Sequence, residues 1–224
     1  EAPLHYRGGV TTGVGTTLDM NAAGEVSFRV GYSPSPVDIV IDVEGYFDGQ
    51  ASDSTFTSLA TRLYDSRTDG AKTPIPAGGS LEVQVAGVDG LPAAGSELAG
   101  VTMNVAALND PAAATTGFFR VYPSDEPEPS LSQVNYHLGG DIVSNVIVVR
   151  PGAVDGKVIV KNVSASPAHV TIDSQGWFTN AHLLAPASGN NGAASGERAA
   201  ASMVGRSLND ALKTSWNPTN GNTV

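Results

Sequence analysis

The residues that could do chemistry are few and scattered. Four histidines stand at positions 5, 137, 169 and 182. No two of them have the spacing of a metal site, and none shares a helix face with a carboxylate pair, so solvated or strand-edge histidines and no bound metal are expected. Serine is abundant, but there is no G-x-S-x-G elbow and no serine–histidine pairing along the chain. The chain is therefore read as no enzyme and as needing no cofactor. Asp65 and Arg67 are two apart with Arg62 nearby, a pattern expected to place an ion pair on one strand face and tie that strand to its neighbour. The acidic stretch Asp125-Glu126-Pro127-Glu128 lacks the spaced carboxylates and glycine of a calcium loop, and a solvated tip is expected. A saccharide site would need exposed aromatic platforms with hydrogen-bonding neighbours. Tyr64, Tyr122 and Tyr136, with His137 beside the last, are the candidates for it, together with Tyr46 and Trp177. The last two, like Phe47 and Phe178, read more simply as plugs at strand ends.

Whatever positions these side chains is made of short strands. The 224 residues include 26 glycines and 14 prolines, with 41% hydrophobic and only 15% charged, a composition of many short elements separated by turns. Leu81, Val83 and Val85 alternate with Ser80, Glu82 and Gln84; Val101, Met103 and Val105 with Thr102 and Asn104; Val134, Tyr136 and Leu138 with Gln133, Asn135 and His137. Each set is a half-buried strand. The stretch SNVIVVR, up to Arg150, is apolar on both faces apart from its ends and is expected to form a central strand. Turns are expected at Pro76–Gly79, Val88–Pro92, Asn109–Pro111, Pro123–Pro129 and Asp155–Gly156. Eight to ten such strands predict an all-β fold, an antiparallel β-sandwich or jelly-roll-like module.

The stretch from Gly156 to Phe178 (GKVIVKNVSASPAHVTIDSQGWF) has an upstream counterpart from Gly24 to Phe47 (GEVSFRVGYSPSPVDIVIDVEGYF). Gly9 and Gly140, Asp42 and Asp173, Gly45 and Gly176, and Phe47 and Phe178 all stand 131 positions apart. The period is that of a domain-sized repeat, and each counterpart is expected to be a β-hairpin closing one copy. Asp42 and Asp173 are expected to accept backbone hydrogen bonds in that closing turn, with Gly176, Trp177 and Phe178 structural. Residues 1–48 are accordingly read as the last third of a truncated copy and 50–179 as a complete one. Residues 180–196 read as a small-residue linker. In 197–224, Met203, Val204, Leu208, Ala211 and Leu212 recur at helical spacing, predicting a short amphipathic helix and the start of a following domain.

The string RLYDSR at Arg62–Arg67, then PAGGSLEVQVAGVDGLPAAG, GVTMNVAAL, GFFRVYPSDEPEPSLSQVNY, NVIVVRPGAVDGKVIVKN and DSQGWF, resembles a long β-rich tandem repeat of secreted, mostly actinobacterial, surface proteins. Family landmarks occur in the same order, from an Arg-Leu-x-Asp-Thr-Arg opening to a Gly-Tyr-Phe close. Ser66 stands where the family usually has Thr, and Gln133-Val-Asn135 where it has Asn-x-Asn. The tail SWNPTNGNTV is similar to the entry into the YD-repeat shells of Rhs-type polymorphic toxins; an ordinary turn after a helix is the other reading of it.

A formal net charge of −10 and a pI near 4.6 oppose a nucleic-acid partner, which would need Lys and Arg against its phosphates. No apolar run has the length to cross a bilayer. Cysteine is absent, which excludes disulfides and suits either a reducing cytoplasm or an exported bacterial protein. The resemblance implies an extracellular or cell-surface location in a bacterium, adjacent repeats and a downstream domain as partners, and a non-catalytic spacer, display or targeting role. Binding of a cell-wall or surface glycan is the alternative, and a hydrolase stands behind both.

Overall fold

The computed structural model describes residues 8–16, 18, 21–30, 36–43, 55–109 and 115–179. Eight strands lie among them: β1 (Phe56–Asp65), β2 (Ser80–Gln84), β3 (Leu98–Asn109), β4 (Gly117–Pro123), β5 (Val134–Tyr136), β6 (Ile142–Val149), β7 (Lys157–Ser164) and β8 (Ala168–Thr179). They build two antiparallel four-stranded sheets, ordered β1-β8-β3-β6 and β2-β7-β4-β5. The all-β, two-sheet expectation holds. No helix of the described residues is long and apolar enough to cross a membrane. The predicted linker and C-terminal helix lie outside the described residues, as do His5, Tyr46, Phe47 and His182.

Alternation makes the core. Val83 from β2, Val101, Met103 and Val105 from β3, Phe119 and Val121 from β4, Val158 and Val160 from β7, and Val170 and Ile172 from β8 are all buried and join one cluster fed by both sheets. Successive inward positions are two residues apart, as the pleat requires, and each buried side chain of this size contributes about 1.5–3 kcal/mol. Trp177 belongs to the same cluster.

Three sequence expectations change. The stretch from Gly156 to Phe178 is no hairpin: β7 pairs only with β2 and β4, and β8 only with β1 and β3. The link at 164–167 carries the chain from one sheet to the other. It is held by the Ser164 hydroxyl donating to the Ser166 carbonyl at 2.6 Å and accepting the Ser166 amide at 3.0 Å. The SNVIVVR stretch is β6, the last strand of its sheet and not a central one; Ile147 and Val149 are buried while Val146 and Val148 are exposed. Leu138, expected inward with Val134 and Tyr136, is exposed, because β5 ends at Tyr136 and Leu138 opens the turn to Asp141.

Gly176 sits on β8 opposite Ser58 of β1 and Thr102 of β3. A Cβ there would overlap the Phe56 ring and the Thr57 carbonyl, on a backbone with φ of +155°. Gly176→Ala must therefore push β1 outward, and since β1 is an edge strand that can yield, a loss of about 1–2 kcal/mol is expected. Urea denaturation of the variant beside Gly8→Ala, whose added methyl meets nothing within 4 Å, checks this: equal midpoints for the two would contradict the close packing of β1 on β8.

The described part of residues 1–48 carries no strand. Val26, Phe28, Val30, Ile39, Ile41 and Val43 are all exposed by more than a third, whereas Val158, Val160, Val170 and Ile172 are at 0%. The sequence pattern is shared, but the burial is not, since these segments have no sheet pairing among the described residues.

Candidate functional site

Three polar constellations stand on this frame. The first is at the end of β1. Arg62 lies opposite Asp173 across the β1–β8 ladder, and its guanidinium binds both Asp173 carboxylate oxygens and, at 3.2 Å, Asp65. The chain turns immediately after Asp65, so Arg67 is not on the strand: its amide and Nε donate to Asp65 Oδ1 at 2.9 Å and a terminal nitrogen to Oδ2 at 2.7 Å. The Arg67 guanidinium is the main cause holding the Asp65 carboxyl at about 2; burial opposes it, and the Arg67 amide and Arg62 add to it. The pairing of Asp65 with Arg67 is therefore internal to the turn, and Arg62–Asp173 ties the strands. Asp173 is correspondingly not in a closing turn but within β8, accepting from a guanidinium.

Ser66 follows directly. The residue is 1% exposed, and its hydroxyl lies 2.8 Å from His169 Nδ1 and accepts the Val170 amide at 2.9 Å. This serine–histidine pair was invisible in the sequence, where its members are 103 residues apart. It is a poor nucleophile–base unit: the hydroxyl is buried and already accepts a backbone amide, and the neighbouring Asp65 carboxylate is occupied by two arginines.

The second constellation is the acidic loop after β4. Its carboxylates are not a free solvated tip. Arg150 pairs with Asp125 at 3.0 Å and Glu126 at 3.3 Å, while Arg120 pairs with Glu128. Burial alone would raise the Asp125 carboxyl; Arg150 and the Ala153 amide outweigh it, and its pKa sits below the ordinary value. Among the described residues no group of three or more acidic or histidine side chains is placed to hold a metal ion.

The third is an open cleft of about 330 Å³ between the N-terminal segments and the β4–β5 side of the module. Phe118 and Arg120 are two apart on β4, hence on its outer face, with Phe119 and Val121 turned into the core. The Arg120 guanidinium lies 5.2 Å from the Phe118 ring centre and its Nε donates to the Leu131 carbonyl at 2.8 Å. Ser130, Ser132 and Asn135 come from the β4–β5 connection and β5, and Thr11, Val40 and Asp42 complete the wall. An aromatic face, a fixed guanidinium, hydroxyls and an amide can hydrogen-bond and stack a polyhydroxylated ligand. No histidine lines the cleft.

The residues named from sequence for a saccharide site are not gathered there. Tyr136 is at 1% exposure, packed edge-on against Phe119 with ring centres 5.3 Å apart. Tyr122 is buried at the far end of β4; it faces Ile159 while Tyr136 faces Gly117, five positions or roughly 17 Å along the strand. Tyr64 lies on β1, at the opposite edge of the other sheet, with its hydroxyl turned to the Asp69 carbonyl. The amide of His137 donates to Asp141 and its carbonyl accepts from Asn109. Phe118 and Arg120 were missed because a single outward aromatic beside an arginine is an unremarkable strand pattern. The bulge of sequence after β4, rich in Pro and Ser, was the available signal that something overhangs them.

Comparison of the chain with protein-family models, with characterised proteins and with solved structures finds no match.

Proposed function

We propose that residues 50–179 are a non-catalytic β-sandwich repeat, one of a tandem set, serving as a spacer, display or targeting module in a larger secreted or surface protein of a bacterium. The observation that supports this is where the polar side chains are spent. Arg62 with Asp173 fastens β1 to β8, Asp65 with Arg62 and Arg67 holds the turn after β1, Arg150 and Arg120 fasten the acidic loop, and Ser66 with His169 fastens β8 to that turn. Charges used as internal ties favour a rigid module over a reaction centre. Its partners in this reading are adjacent copies and a downstream domain, and the tail SWNPTNGNTV supports an Rhs-type toxin as the larger protein.

The Phe118–Arg120 cleft supports a second reading, recognition of a cell-wall or surface glycan. Sedimentation of the chain with insoluble peptidoglycan, and polysaccharide arrays, separate the two. The spacer reading expects no saturable binding. Saturable binding that weakens about tenfold or more in Phe118→Ala, the scale of losing one aromatic anchor, would replace it with the second.

A further inference from the structure

The last two strands are each central in a sheet: β7 lies between β2 and β4, and β8 between β1 and β3. Their receiving surface is therefore the set β1–β4, residues 56–123, and in it Val158, Val160, Val170 and Ile172 reach 0% exposure. The chain carries a second segment of the same pattern. Gly24 stands where Gly156 does, which sets Val26 and Phe28 in the places of Val158 and Val160, and the 131-residue offset sets Ile39 and Ile41 in those of Val170 and Ile172. These four are 37%, 52%, 53% and 42% exposed. Inward positions fall two apart in both segments, and the two follow each other in the same order, so a surface that receives β7 and β8 can receive residues 25–30 and 38–43 in the same register.

The chain's own set is taken, and two differences keep β7 in it. Asn162 is anchored to the Tyr136 hydroxyl and to the Ile75, Pro76 and Ser166 carbonyls, whereas Val30, at the corresponding place, has no side-chain amide. Phe28 is also bulkier than the Val160 it would replace in a packed core. An empty second set has no such competitor. We propose that residues 25–30 and 38–43 are a docking surface for a second β1–β4 set, that of an adjacent copy of the module. In that set Phe28 lies between the counterparts of Leu81 and Val121, and Ile41 between those of Tyr64 and Val105, as Val160 and Ile172 do here. The proposal rests on the tandem-repeat reading and adds to it which strands of neighbouring copies meet, and in what register.

Extending the full chain at its N-terminus by a second copy of residues 50–131 supplies β1–β4 without a β7 or β8 of their own. Amide exchange at Val26–Phe28 and Ile39–Ile41 is expected to slow about tenfold or more against the native chain, with Val158–Val160 and Val170–Ile172 unchanged. Phe28→Asp together with Ile41→Asp should return these amides to their rate in the native chain. Exchange that stays as fast as in the native chain overturns the proposal, as does protection that survives both substitutions or that comes at the expense of β7 and β8. Should the extension spoil the fold of the whole chain, residues 50–131 are added to the native chain as a separate polypeptide. Capture by the native chain and not by the doubly substituted one is then expected, and equal capture or none overturns the proposal. Protection of residues 56–179 and sedimentation with peptidoglycan are read on the native chain, so failure of this docking surface and failure of the spacer reading are distinguishable.

Discussion

Asn162→Ala is expected to cost about 3–4 kcal/mol, a large share of the 5–15 kcal/mol that holds a domain of this kind. Asn162 is at 0% exposure on β7, where the sequence places an amide in the middle of an alternating apolar run. Its Oδ1 accepts the Tyr136 hydroxyl at 2.5 Å, and its Nδ2 faces the carbonyls of Ile75, Pro76 and Ser166 at 3.1, 3.1 and 2.9 Å. The amide therefore links β5, the approach to β2 and the sheet-crossing link after β7. Truncation leaves the buried Tyr136 hydroxyl short of this acceptor and takes the Nδ2 donor from the Ile75, Pro76 and Ser166 carbonyls, which keep the Ala168 amide, the Gly79 amide and the Ser164 hydroxyl; each lost bond costs about 1 kcal/mol. Denaturant midpoints at constant slope would read the loss. Tyr136→Phe is expected to cost about 1–2 kcal/mol alone, and clearly less in an Asn162→Ala background, because the two share one bond. A loss below about 1 kcal/mol for Asn162→Ala would remove this hub from the account of stability.

Asn162 also marks the limit of reading the fold from pattern. Alternation of Val158 and Val160, and of Val170 and Ile172, identifies inward faces, and the structure buries all four. It does not identify partners. Two successive strands joined by a short turn have the same alternation whether they pair in one sheet or face each other across two, which is why the stretch closing the module read as a hairpin. The deciding residues are polar: Asn162 and Ser164, which satisfy backbone groups where the chain crosses between sheets. The strand SNVIVVR shows the converse failure. Apolar residues on both sides imply two covered faces, but β6 is an edge strand, and part of its cover comes from Gly15, a residue 130 positions from Asn145.

The polar constellations were legible by residue type more than by geometry. Asp65, Arg67 and Arg62 announced an ion-pair cluster from three neighbouring positions, but only the β1–β8 register shows that the cross-strand member is Arg62 with Asp173. Ser66 with His169, Arg150 with Asp125, and the walls of the Phe118–Arg120 cleft all join residues far apart in the chain. No local spacing encodes such pairs; they are consequences of strand order.

The Asp65 cluster makes the stability of this chain depend on acid. Asp65 has a folded pKa of about 2 against 3.8. Because the folded value is the lower one, its stabilisation is complete above about pH 4 and is lost as the pH falls from there through 2. The gap corresponds to about 2 kcal/mol, reduced to about 1–2 kcal/mol because the side chains of Arg62 and Arg67 are 48% and 49% exposed and solvent screens them. Asp65→Ala removes the charge and, in addition, the acceptor for the Arg67 amide, so about 2–3 kcal/mol is expected at pH 7. Asp65→Asn keeps an acceptor and isolates the charge. The difference between the native chain and Asp65→Asn in urea midpoint should be full at pH 7, still nearly full at pH 4.5 and mostly gone at pH 2. It should also shrink in 1 M salt, where charges interact over only about 3 Å. A difference that persists unchanged at pH 2 would mean that the carboxylate holds the turn by shape and hydrogen bonding alone, with Arg62 and Arg67 adding nothing through their charge.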